Sequence, residues 1–290
     1  MQAGRARVRT MKAIMRSAVM LVAAAMLAVP TWAQAQSWRN VTMSRQLESN
    51  EAVRVHVEYG AGRFTVRAID EGLLYRMRLR YDEDRFEPVA DLSGNELRLG
   101  TESHGRGVDF DKHSGELEVE LARGIPMDLD LEFGAVRADI DLGGLALTDL
   151  ELSTGASEST VDISEPNPSS MGTARFEVGA AEFTMRGLGN LNAERIDLDA
   201  GVGELTLWLD GRWRRDAAIS IDMGLGSLEL RIPEGLGVRL RKDSFLTSLD
   251  SEGLVKRGNA YYSLDWEDAS RKVTIDLDAA FGSVNVVWIR

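Results

Sequence analysis

Residues 196–208, IDLDAGVGELTLW, and residues 219–231, ISIDMGLGSLELR, are two copies of one phrase, and that phrase decides the fold. Each copy is an alternating apolar run, a glycine corner and a second alternating run. Working outward, the corner recurs at Gly60, Gly134, Gly155, Gly179, Gly201, Gly224 and Ala280, within EYGAGRF, EFGAVRA, STGASES, EVGAAEF, DAGVGEL, DMGLGSL and DAAFGSV. From Gly134 to Gly224 the steps are 21, 24, 22 and 23 residues. A fixed period in that range marks stacked supersecondary units.

The register is tighter than the glycines. Three residues before each corner stand Val57, Leu131, Leu152, Phe176, Leu198, Ile221 and Leu277; five before stand Val55, Leu129, Leu150, Ala174, Ile196, Ile219 and Ile275. Six after come Val66, Ile140, Val161, Met185, Leu207, Leu230 and Val286. Period-2 alternation turns one face of a strand inward, and a slip of one residue would reverse every side chain. Glycine suits a corner because it tolerates positive φ and close backbone approach. These positions predict an all-β chain, a β-solenoid with coils of about 22 residues stacked about 4.8 Å apart. A β-sandwich or barrel with strands at 8–12-residue spacing is the alternative, and it gives no reason for equivalent core positions to recur.

Residues 1–35 have the character of a cleaved export signal. Arg5, Arg7, Arg9, Lys12 and Arg16 precede an apolar run, Ser17–Val29, and an Ala33-Gln34-Ala35 cleavage site. Met1 and Met11 both suit the start of such a signal. The run is short for a membrane span, and no later stretch is longer, so the expected location is periplasmic or secreted. The absence of cysteine excludes disulfides and a lipid-modified cysteine anchor. Five of the 34 basic residues lie in the signal, leaving 29 against 46 acidic residues. Nucleic acid is an improbable partner for that surface; basic proteins and cations remain.

Two regions are expected after the signal. Residues 36–126 should form an irregular start, with alternating runs at Leu74–Tyr81, Glu96–Leu99 and Glu116–Leu121 joined as hairpins. Residues 127–290 should form the solenoid, with a projecting loop at 162–172 and a capping excursion at 242–274 before the last corner. The chain ends in VNVVWIR, and an open terminal strand would need aromatic cover or a partner.

The strings MDLDLEFGAVRADIDLGGL, LELSTGASESTVDISEPN, FEVGAAEFTMRGLGNLN, LDAGVGELTLWLDGRW and MGLGSLELRIPEGLGVRL resemble the toast-rack domains of bacterial envelope proteins. That group is similar to LiaF-like C-terminal domains and "putative adhesin" domains of unknown function. The resemblance is close over 127–290 and loose over 38–123. It implies a right-handed single-stranded β-helix in an exported or tethered protein, with no catalytic residues. Some relatives contact other proteins in sensing envelope stress, but LiaF-like relatives carry membrane segments that this sequence lacks.

The candidate sites lie on outward columns. Two residues before the corners stand Glu58, Glu132, Ser153, Glu177, Asp199, Asp222 and Asp278; three after stand Glu158, Glu182 and Glu204. Glu177, Asp199 and Asp222 could take calcium or, with Glu182 and Glu204, a basic partner; the plain reading is a solvated acidic face that blocks edge pairing. Thr160, Thr184 and Thr206 make a short ladder explained by β-propensity. Trp208 and Trp213 could stack on a sugar ring, or Trp213 could pack inward with its indole N–H on a turn carbonyl. His56, His104 and His113 show no metal-ligand spacing, and Asp109, Asp111 and His113 form only a loose set. No cysteine nucleophile, G-x-S-x-G elbow or phosphate loop is present. The sequence therefore predicts a non-catalytic envelope or surface interaction protein without a cofactor, its partner an envelope protein or surface polysaccharide. The alternative is a β-helix that binds or processes polysaccharide.

Overall fold

The computed structural model describes residues 37–104, 115–250 and 252–290. The expected signal and the set Asp109, Asp111 and His113 lie outside the described residues.

The described chain is all-β apart from one short 3-10 turn at Leu188–Leu191. It opens with β1 (Trp38–Gln46), β2 (Val53–Ile69), β3 (Leu73–Asp82), β4 (Phe86–Ser93), β5 (Glu96–Ser103) and β6 (Gly115–Ala122). The middle holds β7 (Pro126–Asp141), β8 (Ala146–Thr154), β9 (Glu158–Asp162), β10 (Met171–Arg186), β11 (Ala193–Trp208) and β12 (Ala217–Pro233). It closes with β13 (Gly237–Asp250), β14 (Leu254–Arg257), β15 (Ala260–Ser263) and β16 (Lys272–Ile289).

Long strands bent at the corner stack in parallel and in register. Leu129 pairs with Leu150, Leu150 with Ala174, Ala174 with Ile196, Ile196 with Ile219, and Ile219 with Ile275. The residues five and three before each corner, and six after it, all lie in one continuous buried core. Burial of such β-branched and Leu side chains is what fixes register here, since slippage would expose the whole set. Phe64 and Phe133 meet at 5.3 Å between ring centroids, and Phe176 and Phe183 at 6.4 Å. One rung is built differently. In β8 and β9 the interior carries Thr154, Ser157 and Ser159, which satisfy one another: the Thr154 and Ser159 hydroxyls lie 2.8 and 3.0 Å from that of Ser157.

The two reasons for glycine separate in space. At the corner itself the need is room: a Cβ on Gly134, Gly179, Gly201 or Gly224 would stand 2.4–2.9 Å from the carbonyl oxygen of the corner glycine below. Positive φ falls two residues later, at Gly62, Gly203, Gly226 and Gly282, with φ of 130–153°.

At the start, β5 pairs with the first arm of β2 and β6 with the second, so two separate strands make one rung. A hairpin joins β4, a strand not foreseen, to β5, whereas β3 and β6, two of the expected runs, are antiparallel neighbours distant in sequence. The regular stack thus begins at β2, before the expected boundary at 127, because β2 pairs with β7 along both arms.

Three further expectations need correction. The C-terminal strand β16 is internal: it lies between β12 and β13, pairing in parallel with both. Its VNVVWIR run therefore has neighbours on both sides as far as Asn285. The capping excursion does not begin at 242, since β13 continues as a rung to Asp250, with Ser244 and Leu246 pairing on either side of the corner at Ala280. The β14–β15 hairpin beyond that rung covers only the first arm of β13, at Arg239–Arg241. Finally, the segment 162–172 does not project freely. Asn167 is buried in it and donates to the carbonyls of Leu147 and Leu191 at 2.9 and 3.0 Å, tying the turn to the coils on either side.

Candidate functional site

The bend in every rung leaves a concave strip on the outside of the stack, because the corner residue and the one after it both face outward. Stacking aligns these strips into one open groove of about 880 Å³ running across seven rungs. Its floor is the ladder Gly60, Gly134, Gly155, Gly179, Gly201, Gly224 and Ala280.

One wall is the carboxylate column expected from the sequence. Glu58 stands opposite Glu132, Glu177 opposite Asp199, Asp199 opposite Asp222, and Asp222 opposite Asp278. Asp243, on the unforeseen rung, extends the column beyond Asp278. Ser153 interrupts it between Glu132 and Glu177. Adjacent strands lie about 4.8 Å apart, so each carboxylate has like charges as nearest neighbours. The consequence is visible at Asp222, whose pKa is raised by partial burial in the groove and by the charges of Asp199, Asp278 and Asp197.

Charge is handled differently on the N-terminal sheet. There Glu118 and Glu120 receive Arg67, Arg76 and Arg78, with Arg76 3.1 Å from Glu120 and Arg78 2.8 Å from Glu118. Along the column the acidic neighbours act on Asp222, and at its end Arg241 and Lys242 line a cavity together with Asp222, Asp243 and Asp278. Among the described residues no three His, Asp or Glu side chains converge to hold a metal ion. The second column is also aligned, Glu158 to Glu182 to Glu204, and continues into Ser227.

Both tryptophans have partners within the fold. Trp213 packs against the core and donates its indole N–H to the Leu209 carbonyl at 2.8 Å, so its ring edge serves a turn. Trp208 stands 4.4 Å from the Arg231 guanidinium and 5.9 Å from that of Arg186, so cations already occupy its neighbourhood. The threonines do align, Thr160 to Thr184 to Thr206. His56 is 2.7 Å from Asp130, and His104 is 3.6 Å from Glu87.

Sequence reasoning missed an exposed apolar row just past the corners. Val202, Leu225 and Phe281, each one residue past its corner, are direct neighbours across β11, β12 and β16 and are 51, 51 and 46% exposed. The available signal was the break in alternation itself: two successive residues face outward at the corner, and the second is large and apolar in these three phrases.

The chain is similar in sequence to a known family. Residues 33–186 and 175–231 match the family described as the N-terminal domain of toast_rack, DUF2154. No curated protein matches the chain. Among solved structures, the chain is similar to a "putative cell adhesion protein" from Clostridium sporogenes ATCC 15579, with 15% identity, a TM-score of 0.47, and coverage of 87% of this chain and 100% of that one. A "putative adhesin" from Bacteroides fragilis NCTC 9343 shares 11% identity at a TM-score of 0.36, covering 87% and 98%. Another, from Parabacteroides merdae ATCC 43184, shares 13% at 0.28, covering 89% and 98%.

Proposed function

Because the chain belongs to the toast_rack family, we propose that it is a non-catalytic, exported interaction protein of the cell envelope or surface, adhesin-like in that it presents a rigid acidic groove to a macromolecular partner. The observation that carries this reading is the in-register column Glu177, Asp199 and Asp222, held at rung spacing on a fixed scaffold. Like charges held at rung spacing cost free energy, and a cationic partner would recover it. We take the stack as right-handed, the sense adopted by nearly all parallel crossover connections. The location is taken as periplasmic or secreted from the export-signal pattern of residues 1–35.

The test is charge reversal of the column. Glu177→Lys, Asp199→Lys and Asp222→Lys together should abolish chemical cross-linking of the protein to its envelope partner in intact cells, with the far-UV circular dichroism unchanged. Cross-linking at the native yield would overturn the reading.

A further inference from the structure

The stack ends in a step. On the first arm of β13 the ladder continues through β15 and β14, but among the described residues no strand lies against the same edge beyond Arg241. Past the corner this leaves the backbone of Leu246–Asp250 paired on one side only, with β16. Such an edge presents unmatched N–H and C=O groups at strand spacing, and what matches a whole row of them is another strand. The core ends unfinished at the same place. Leu249 continues the inward column of Phe183, Leu205, Leu228 and Val284, which are at most 2% exposed, yet Leu249 itself is only partly buried.

The other edges are guarded, and this one is not. Pro88 removes a donor in β4, Arg39 and Arg45 stand in β1, and Lys256 and Arg257 stand in β14. Leu246–Asp250, LTSLD, contains neither proline nor a basic residue. A second copy of the chain is a poor occupant. Beyond β2 the second-arm ladder runs through β6, β3 and β1, and the first-arm ladder through β5 and β4. Three strands on one arm and two on the other mean that seating β1 of a copy on β13 brings its β4 to the level that β14 already holds. A single strand of a different protein meets no such obstruction. Asp250 is exposed on the outward face at the end of the arm, and opposite charges directly across a strand pair are favourable, so the strand that suits this edge has a basic residue there.

We propose that Leu246–Asp250 accepts an extended strand of a partner protein as one further parallel rung, its alternate apolar residues lying beside Leu249 and a lysine or arginine standing opposite Asp250. This edge is separate from the acidic groove, none of whose lining residues belongs to it.

The probe is a fluorescein-labelled nine-residue peptide in which valine alternates with threonine and one central threonine is replaced by lysine, titrated against the purified full chain by fluorescence anisotropy. Two N-methylated forms carry methyl groups on every second amide, in the two possible offsets. Successive N–H groups of a strand point to opposite edges, so one form should bind about tenfold or more weaker and the other within about twofold of the parent peptide. Absence of binding, or equal binding of the two methylated forms, overturns edge pairing. Asp250→Lys, at an exposed position that leaves the fold intact, should weaken the lysine peptide and strengthen its glutamate counterpart, each by about two- to fivefold. No change in either overturns the assignment to this edge. Sedimentation velocity should find a monomer; a dimer that the peptide dissociates gives the edge to a second copy and overturns the partner strand. Cross-linking of the charge-reversed column in cells judges the groove separately from all of these.

Discussion

At the residue scale the corner contains two constraints, room for the neighbouring backbone and positive φ, and at Gly203 both act together. Gly203 has a φ of 153°, and a Cβ there would meet the Ala181 carbonyl oxygen at 1.8 Å, so neither backbone nor space admits another residue. Gly203→Ala should cost about 2–4 kcal/mol in urea unfolding. Gly172→Ala, in the same kind of strand with nothing within 4 Å and no positive φ, should be neutral or stabilise by up to about 1 kcal/mol. Equal effects would refute the stacking account of the glycines. Asp222 supplies a test through protons. Its pKa is raised in the folded state, so the folded chain holds that proton more tightly than the unfolded chain does. Stability is then greatest at pH below the ordinary aspartate value and falls as pH rises through the raised value. Asp222→Asn should therefore raise the melting temperature at pH 7 but not at pH 3, a stabilisation of less than about 1 kcal/mol because the carboxylate is exposed to solvent. A variant less stable than the parent at pH 7 would mean the column is not repulsive.

At the element scale, the sequence was legible wherever one rung equalled one phrase. The strands from β7 to β12 and the carboxylate column they carry follow directly from alternation about Gly134 to Gly224. Legibility failed where the rule was broken covalently rather than energetically. Phe245 stands where a glycine would mark the corner, so KDSFLTSLD was not recognisable as a rung although its apolar Leu249 and its Asp243 occupy the expected offsets. The insertion of β16 between β12 and β13 is invisible to any reading in chain order, since both neighbours offer it the same pattern. The split rungs, β5 with β6 and β8 with β9, were hidden because a corner can join two strands or bend one. The order of β16 has an energetic consequence. Ile275 is fully buried and registers with Ile219 on one side and Leu240 on the other. Ile275→Ala should cost about 2–4 kcal/mol, and because each rung contacts only its neighbours, hydrogen exchange should accelerate in β12 and β13 while β2 and β7 stay protected. Acceleration confined to β16 would show that the strand is not a shared element of the stack.

At the scale of the whole molecule, stacking multiplies whatever one rung presents, and this applies to charge as much as to the core. A phrase with one outward carboxylate becomes a line of them, and the chain as a whole carries a formal charge of −12. The N-terminal sheet dissipates its share through cross-strand pairs such as Arg78 with Glu118, whereas the groove retains repulsion over Glu177, Asp199, Asp222 and Asp278. These two populations respond to salt in opposite directions. Screening weakens surface ion pairs, each of which is worth about 0–1 kcal/mol, and it relieves a column whose members are separated by about 4.8 Å. Raising ionic strength from 0.1 to 1 M shortens the screening length from about 10 to about 3 Å, which first brings it below the rung spacing. If the column dominates, the melting temperature of the parent should rise across that range. The variant carrying Glu177→Gln, Asp199→Asn, Asp222→Asn and Asp278→Asn should start higher at 0.1 M and change little. Parallel salt profiles for the two proteins would locate the charge sensitivity outside the groove, and with it the free energy that a cationic partner is argued to recover.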